Sequence, residues 1–308
     1  MQIALSDWHN KTRNLQAALI AAGHTIVDRT VVSDALLMDV DFPIGNYRAI
    51  IAYQQRHGAK VFLYSHGADA FLGWDGIWEP QPLDGYLAMA EGTKEIMSRF
   101  KKPYPNPVHV IGWHYCEILP FQPVQNIKRV LFAPHHPHSS GYLHPVFKEM
   151  NRRVLSELAE GRDKYHLTVR HLRAAEENGL DWYEGVEYIQ AQPDNKTTHI
   201  DEADLVVSIG TFAQLAIARG KPTIMYGQDV CPHEAYNPEH CIDVASWNNY
   251  RDYMRYPFEW DEVTDLETVC TTPVDAWRKT FLGEPFQPRQ FTDLFERLVL
   301  GEQEYARK

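Results

Sequence analysis

Residues 201–226 read DEADLVVSIGTFAQLAIARGKPTIMY. The apolar run 205–209 has the length of one buried strand, Gly210 breaks it, and 211–219 continue with apolar residues at helical length before Gly220 stops the helix. Residues 223–226 open a second apolar strand. Strand, helix and strand in this order form a crossover unit of a parallel sheet covered on both faces. At the turn between Ser208 and Phe212 the first backbone N–H groups of the helix and the Thr211 hydroxyl are placed to hold an anion. Those donors lack intrahelical partners, and the helix dipole is positive there. The plainer use of Thr211 is as the helix cap.

The same alternation runs outward from this unit in two halves. In the first half the pattern predicts strands at 2–5, 24–27, 35–40, 60–64, 85–89 and 108–111, with helices at 10–22, 47–57 and 91–100. Residues 116–128 contain Pro120 and Pro123, lack periodicity and read as an interdomain linker. The second half carries strands at 130–133, 166–171, 186–190, 205–209 and 223–226, helices at 145–160 and 211–219, and two closing helices at 273–282 and 290–306. The expected fold is α/β, with Rossmann-like parallel-sheet domains at 1–124 and 125–308, the closing helices being candidates to return to the first domain. Two such halves facing each other leave a cleft at the carboxyl ends of both sheets, where open α/β sheets bind ligands.

A chain of 308 residues accommodates two domains, each with its own core. The net charge of −11 weighs against a protein that coats nucleic acid, because phosphate contacts need clustered Lys and Arg. The arginines and lysines between 148 and 173 are interleaved with acidic residues and read as a solvated helix face. Cys116, Cys231, Cys241 and Cys270 form no Cys-x-x-Cys pair and are expected as free thiols. No apolar run approaches the roughly 18 residues of a membrane span, and the opening residues lack a basic start and an apolar stretch, so no span and a cytoplasmic location are expected. Without a Gly-x-Gly-x-x-Gly after the first strand or a Gly-x-x-x-x-Gly-Lys-Ser/Thr, nothing supports a dinucleotide oxidoreductase or a P-loop NTPase.

The segment 201–226 resembles the donor-nucleotide domain of GT-B-fold glycosyltransferases and their relatives, the CDP-glycerol glycerophosphotransferase-like enzymes and the UDP-N-acetylglucosamine 2-epimerases. The likeness extends over roughly 60–70 and 129–230. It implies that the 1–124 domain serves the acceptor and the 125–308 domain the donor nucleotide. It also implies that Thr211 contacts the donor phosphates, with Ser208, Gly210 and Phe212 forming the turn. Gln214 stands near the place where many sugar transferases carry an acidic residue for the ribose. In 129–142, RVLFAPHHPHSSGY, the loop after the opening strand offers His135, His136 or Ser139 to donor phosphate. Its histidine cluster also invites a metal, but no carboxylate is nearby and Pro137 removes the usual facial spacing, so no metal is expected. Arg170 and His171 end the strand at 166–171 where the related chains face a basic residue and a His toward phosphate; alternatively Arg170 pairs with Asp201 or Glu202.

The candidate base lies in 60–69, KVFLYSHGAD. The glycerophosphotransferase-like group has a His-Gly here, and an imidazole titrating near neutrality suits proton abstraction from an acceptor hydroxyl. That role falls to His66, with Asp69 orienting it or acting as the base itself; Ser65 replaces the Trp often found before this His. Asp7 and His9, in the loop after the first strand, are rival bases, or Asp7 and Asn10 merely cap a helix. Trp74 and Trp78 are candidates to stack on a sugar or base, and Asp229, His233 and Glu234 to reach donor hydroxyls. The expected activity is transfer of a sugar from a nucleotide-diphosphate donor, UDP type first, to an acceptor hydroxyl, with no tightly bound cofactor. The acceptor is a glycan, a polyol, a lipid carrier or, less favoured by the charge, a modified base in nucleic acid. The alternatives are a glycerophosphotransferase, a sugar-nucleotide epimerase, which needs a more carboxylate-rich cleft, and a non-catalytic nucleotide- or carbohydrate-binding protein.

Overall fold

Among the described residues eleven strands pair in two wholly parallel sheets, one of six strands and one of five. The computed structural model describes residues 1–6, 13–39, 45–64, 83–99, 106–136, 145–171, 175–192, 196–228 and 252–301. The six-stranded unit contains β1 (Gln2–Ser6), α1 (Arg13–Ala21), β2 (Thr25–Asp28), β3 (Ala35–Asp39), α2 (Gly45–Arg56), β4 (Lys60–Tyr64), β5 (Gly85–Ala88), α3 (Glu91–Arg99) and β6 (Val108–Val110). The five-stranded unit contains β7 (Arg129–Ala133), α4 (Pro145–Glu160), β8 (His166–His171), a 3-10 turn (Ala175–Asn178), β9 (Glu187–Gln190), α5 (Lys196–Glu202), β10 (Leu205–Ser208), α6 (Gly210–Ala218) and β11 (Thr223–Met225). Among the described residues three helices follow: α7 (Leu266–Thr271), α8 (Asp275–Phe281) and α9 (Pro288–Leu300). The sheets are ordered β2-β1-β3-β4-β5-β6 and β11-β10-β7-β8-β9. Among the described residues the chain leaves the first compact unit at Glu117 and returns to it at Lys279, within α8.

The return has a local cause. In α9, Phe291 and Phe295 repeat at helical spacing and are buried in the core of the six-stranded unit with Leu15, Leu19 and Phe62. The Phe295 ring lies 5.4 Å from that of Phe62, edge to face. Each such side chain taken from water contributes about 1.5–3 kcal/mol, so this stripe has no stable alternative in solvent. Pro288 sets the first turn of α9 and Gly301, at φ +80°, closes it, so the helix ends before the extent predicted from periodicity.

In the five-stranded unit the central strands β7 and β10 are buried along nearly their whole length, as strands covered on both faces must be. Residues 118–128 are irregular, yet tied down: Leu119 N–H donates to the Ala218 carbonyl, Gln122 N–H to that of Gly220, and Val124 N–H to that of Cys270. Gly220 allows the close approach, since a Cβ there would lie 2.0 Å from the Pro120 carbonyl oxygen. Two helices were not legible from periodicity: α5, with seven residues, and α7, with six, are shorter than two turns, and an apolar face needs about that length to repeat. Among the described residues no helix is long and apolar enough to cross a membrane.

Candidate functional site

Three neighbouring strands of the five-stranded unit end together. Ser208 of β10 is the register partner of Ala133 in β7, and Phe132 that of Val169, the residue before Arg170 in β8. These three ends and the helix that leaves β10 carry Ser208, Gly210, Thr211, Phe212, Gln214, His135, His136, Arg170 and His171, the donor-side candidates among the described residues.

The α6 turn differs by one residue from the prediction. The helix starts at Gly210, whose φ of +61° lies in the left-handed region that glycine enters without strain. Ile209 occupies the cap position and offers no side-chain hydrogen bond, so Thr211 stands inside the first turn and does not cap the helix. Ser208 is buried and its hydroxyl donates to the Ala133 carbonyl at 2.7 Å, which fastens β10 to β7 just where both strands stop. Gln214 is buried, whereas Thr211 and Phe212 are half-buried.

Arg170 supplies the charge. It is only 5% exposed; among the described residues its buried Nε has no hydrogen-bond partner, and its one side-chain hydrogen bond runs to the Gln192 carbonyl at 3.2 Å. Its guanidinium carbon lies 4.9 Å from the centroid of the Phe212 ring, next in sequence to Thr211 in the first turn of α6. Burial pushes its pKa down to about 10, so the group stays charged at neutral pH while lacking its hydration. The alternative partner Asp201 is engaged elsewhere, in a two-pronged contact with Arg219 at 2.9 and 2.7 Å. Among the described residues no carboxylate pairs with Arg170. His199 of α5 is a further neighbour that the sequence did not single out; burial first, and the charge of Arg170 second, lower its pKa, which favours the neutral imidazole.

The β7 loop completes this end of the sheet. His135 is stacked on Phe147, the ring centroids 4.0 Å apart and the planes 7° from parallel. Its N–H donates to the Tyr226 hydroxyl at 2.7 Å and to Asn151 Oδ1 at 3.2 Å, and its carbonyl accepts from Asn151 Nδ2 at 2.9 Å. The backbone of His135 is thus held on both its N–H and its carbonyl. His136 is exposed and His171 half-exposed. Sequence reasoning missed Asn151, although the signal was present: it interrupts an apolar stripe of Phe147, Val154, Leu155 and Leu158 on α4. Among the described residues no group of three or more His, Cys, Asp or Glu is placed to hold a metal ion. The base candidates Asp7, His9, His66 and Asp69 lie outside the described residues, as do Trp74, Trp78, Ser139, Asp229, His233 and Glu234.

A spinosyn rhamnosyltransferase, SpnG, solved with thymidine diphosphate, is similar over 96% of this chain and 99% of its own, at 11% identity and a TM-score of 0.52. The glycotransferase of kitacinnamycin gives the same score at 12% identity, over 96% of this chain and 98% of its own. The fold is GT-B. A Listeria monocytogenes protein described as a UDP-N-acetylglucosamine 2-epimerase is also similar, with 12% identity, coverage of 96% and 87%, and a TM-score of 0.50. No family model and no curated protein matches the chain by sequence.

Proposed function

We propose that the chain is a glycosyltransferase that moves a sugar from a nucleotide-diphosphate donor, UDP type first, to an acceptor hydroxyl. The observation that carries this reading is Arg170: a buried guanidinium with no carboxylate among the described residues, packed on Phe212 in the uncapped first turn of α6. Burying a charge without a counterion is costly, and an anionic ligand at that turn offsets the cost. A diphosphate fits the chemistry, since it offers oxygens to Arg170, to the first N–H groups of α6, to the Thr211 hydroxyl and to the imidazoles of His135 and His136. The GT-B neighbour SpnG was solved both with thymidine diphosphate and with its spinosyn aglycone, which supports a nucleotide donor and a separate acceptor here.

In this reading the leaving diphosphate keeps its negative charge against Arg170 and the α6 dipole, while a different group takes the acceptor's proton. His66 is assigned that role, with Asp69 orienting it and the Asp7/His9 loop as its rival. The test incubates the purified protein with UDP-, dTDP- and GDP-sugars and alcohols of different classes, following release of nucleoside diphosphate. Acceptor-dependent release supports a transferase; conversion of the donor sugar without acceptor indicates an epimerase, and binding without either indicates a non-catalytic protein. With an active pair, His66→Ala lowers single-turnover rates by about a hundred- to ten-thousand-fold at saturating donor. A normal rate removes His66 from the mechanism.

A further inference from the structure

Beneath the three strand ends lies a polar knot set against an apolar core. Asn151 and Tyr226 are both 0% exposed, and the Tyr226 ring belongs to an apolar core with Phe132, Val154 and Leu155. The Tyr226 hydroxyl donates to Asn151 Oδ1 at 2.7 Å and accepts the His135 N–H at the same distance. Asn151 Nδ2 donates both to the His135 carbonyl, at 2.9 Å, and to the Asn178 carbonyl, at 2.6 Å. Each atom of the carboxamide is therefore used twice. An apolar pair of similar shape would fill this core but take these partners from the His135 N–H and from the His135 and Asn178 carbonyls. What the polar pair adds is direction, since a hydrogen bond fixes a position where an apolar contact tolerates sliding.

The two positions it joins, His135 and Asn178, follow β7 and β8, the neighbouring strands at whose ends anion-site residues stand. His135 and His136 leave the end of β7, and Asn178 closes the segment that follows Arg170 and His171 at the end of β8. We propose that Asn151 and Tyr226 are positioning residues of the anion site, holding the β7 loop and the post-β8 segment in one register so that the His135 imidazole and Arg170 meet the same anion. The Phe147 stack sets the plane of the His135 ring, and the clamp sets how far the ring projects beyond the sheet. This inference rests on the donor-anion reading above.

The experiment uses the full chain and inorganic pyrophosphate, followed by calorimetry. Tyr226→Phe removes one oxygen and keeps the packed ring, so it tests the clamp even if Asn151→Ala does not fold. The expected result is a loss of about tenfold in pyrophosphate affinity for Tyr226→Phe, and at least as much for Asn151→Ala. In a His135→Phe background, which keeps the stack on Phe147 but has no imidazole, Tyr226→Phe should cost nothing more. An equal loss in both backgrounds shows that the hydroxyl acts through general loop stability and overturns the assignment, as does full affinity in Tyr226→Phe. Arg170→Met separates the two levels. If it loses binding while Tyr226→Phe does not, only the clamp fails; if wild type and Arg170→Met alike give no binding heat, the donor-anion reading fails and the clamp with it.

Discussion

Helices α6 and α7 belong to the same unit and begin in opposite ways. At α7 the Asp265 carboxylate accepts the N–H groups of Glu267 and Thr268 and the Thr268 hydroxyl, so the helix consumes its own donors. At α6 the cap is Ile209, which has no side chain able to accept, and a buried arginine lies against the first turn instead of a carboxylate. Absence of a cap alone decides nothing, because α9 also starts without a side-chain cap, on Gln287 followed by Pro288. The difference lies in the charge: a positive helix end closed by an acid is a finished piece of structure, and one reinforced by a desolvated cation is what our proposal supplies with an anion from outside.

The largest effect expected from this contrast is at Arg170. Arg170→Met should weaken pyrophosphate binding by about 2–5 kcal/mol, the usual loss when one side of a buried charge pair is removed. The same substitution should raise the thermal midpoint, because the ligand-free protein no longer buries an unpaired charge. Calorimetry and a melting curve on one preparation check both signs, and a lower midpoint with unchanged affinity would make Arg170 a structural residue and erase the contrast. Thr211→Val should cost a further, smaller amount, about 1–3 kcal/mol of nucleotide-diphosphate affinity, with little change in stability, since Thr211 does not cap α6. Unchanged affinity in the folded variant would leave the first turn of α6 without a ligand role.

The smallest effect belongs to α7. Asp265→Ala should lower the melting temperature at neutral pH and leave pyrophosphate binding untouched. The hydroxyl of Thr268, and then the N–H of Glu267, hold the Asp265 carboxyl below its usual range. A depressed acid contributes stability above its unfolded pKa and loses it as pH falls through the folded value. The melting difference between wild type and Asp265→Ala should therefore be constant from neutrality to about pH 4 and shrink below it. A difference that grew on acidification would contradict the cap.

The α6 unit shows how far the sequence reaches. The strand end at Ser208, the turn glycine and the helix were legible to within a residue because each depends on neighbours a few positions away. Ser208, Gly210 and Thr211 could accordingly be named in advance. The sequence named Arg170 as a phosphate candidate but left open its pairing with Asp201 or Glu202, and only the fold gives Asp201 to Arg219. Asn151 was passed over for a related reason. An Asn in an apolar stripe looks like an imperfection until the chain that meets it is known.

The amino-acid sequence by itself determined the two parallel α/β halves, the crossover at 201–226 and the residues set at strand ends, because strand and helix periodicities and glycine stops act over single turns. Tertiary structure alone decided that α9 rejoins the six-stranded unit, that Arg170 is buried on Phe212 without an acid, and that Tyr226 bonds to Asn151, 75 residues away in the chain. Such pairings have no period to read. They follow from packing, which brings distant polar groups together at separations that local propensity does not encode.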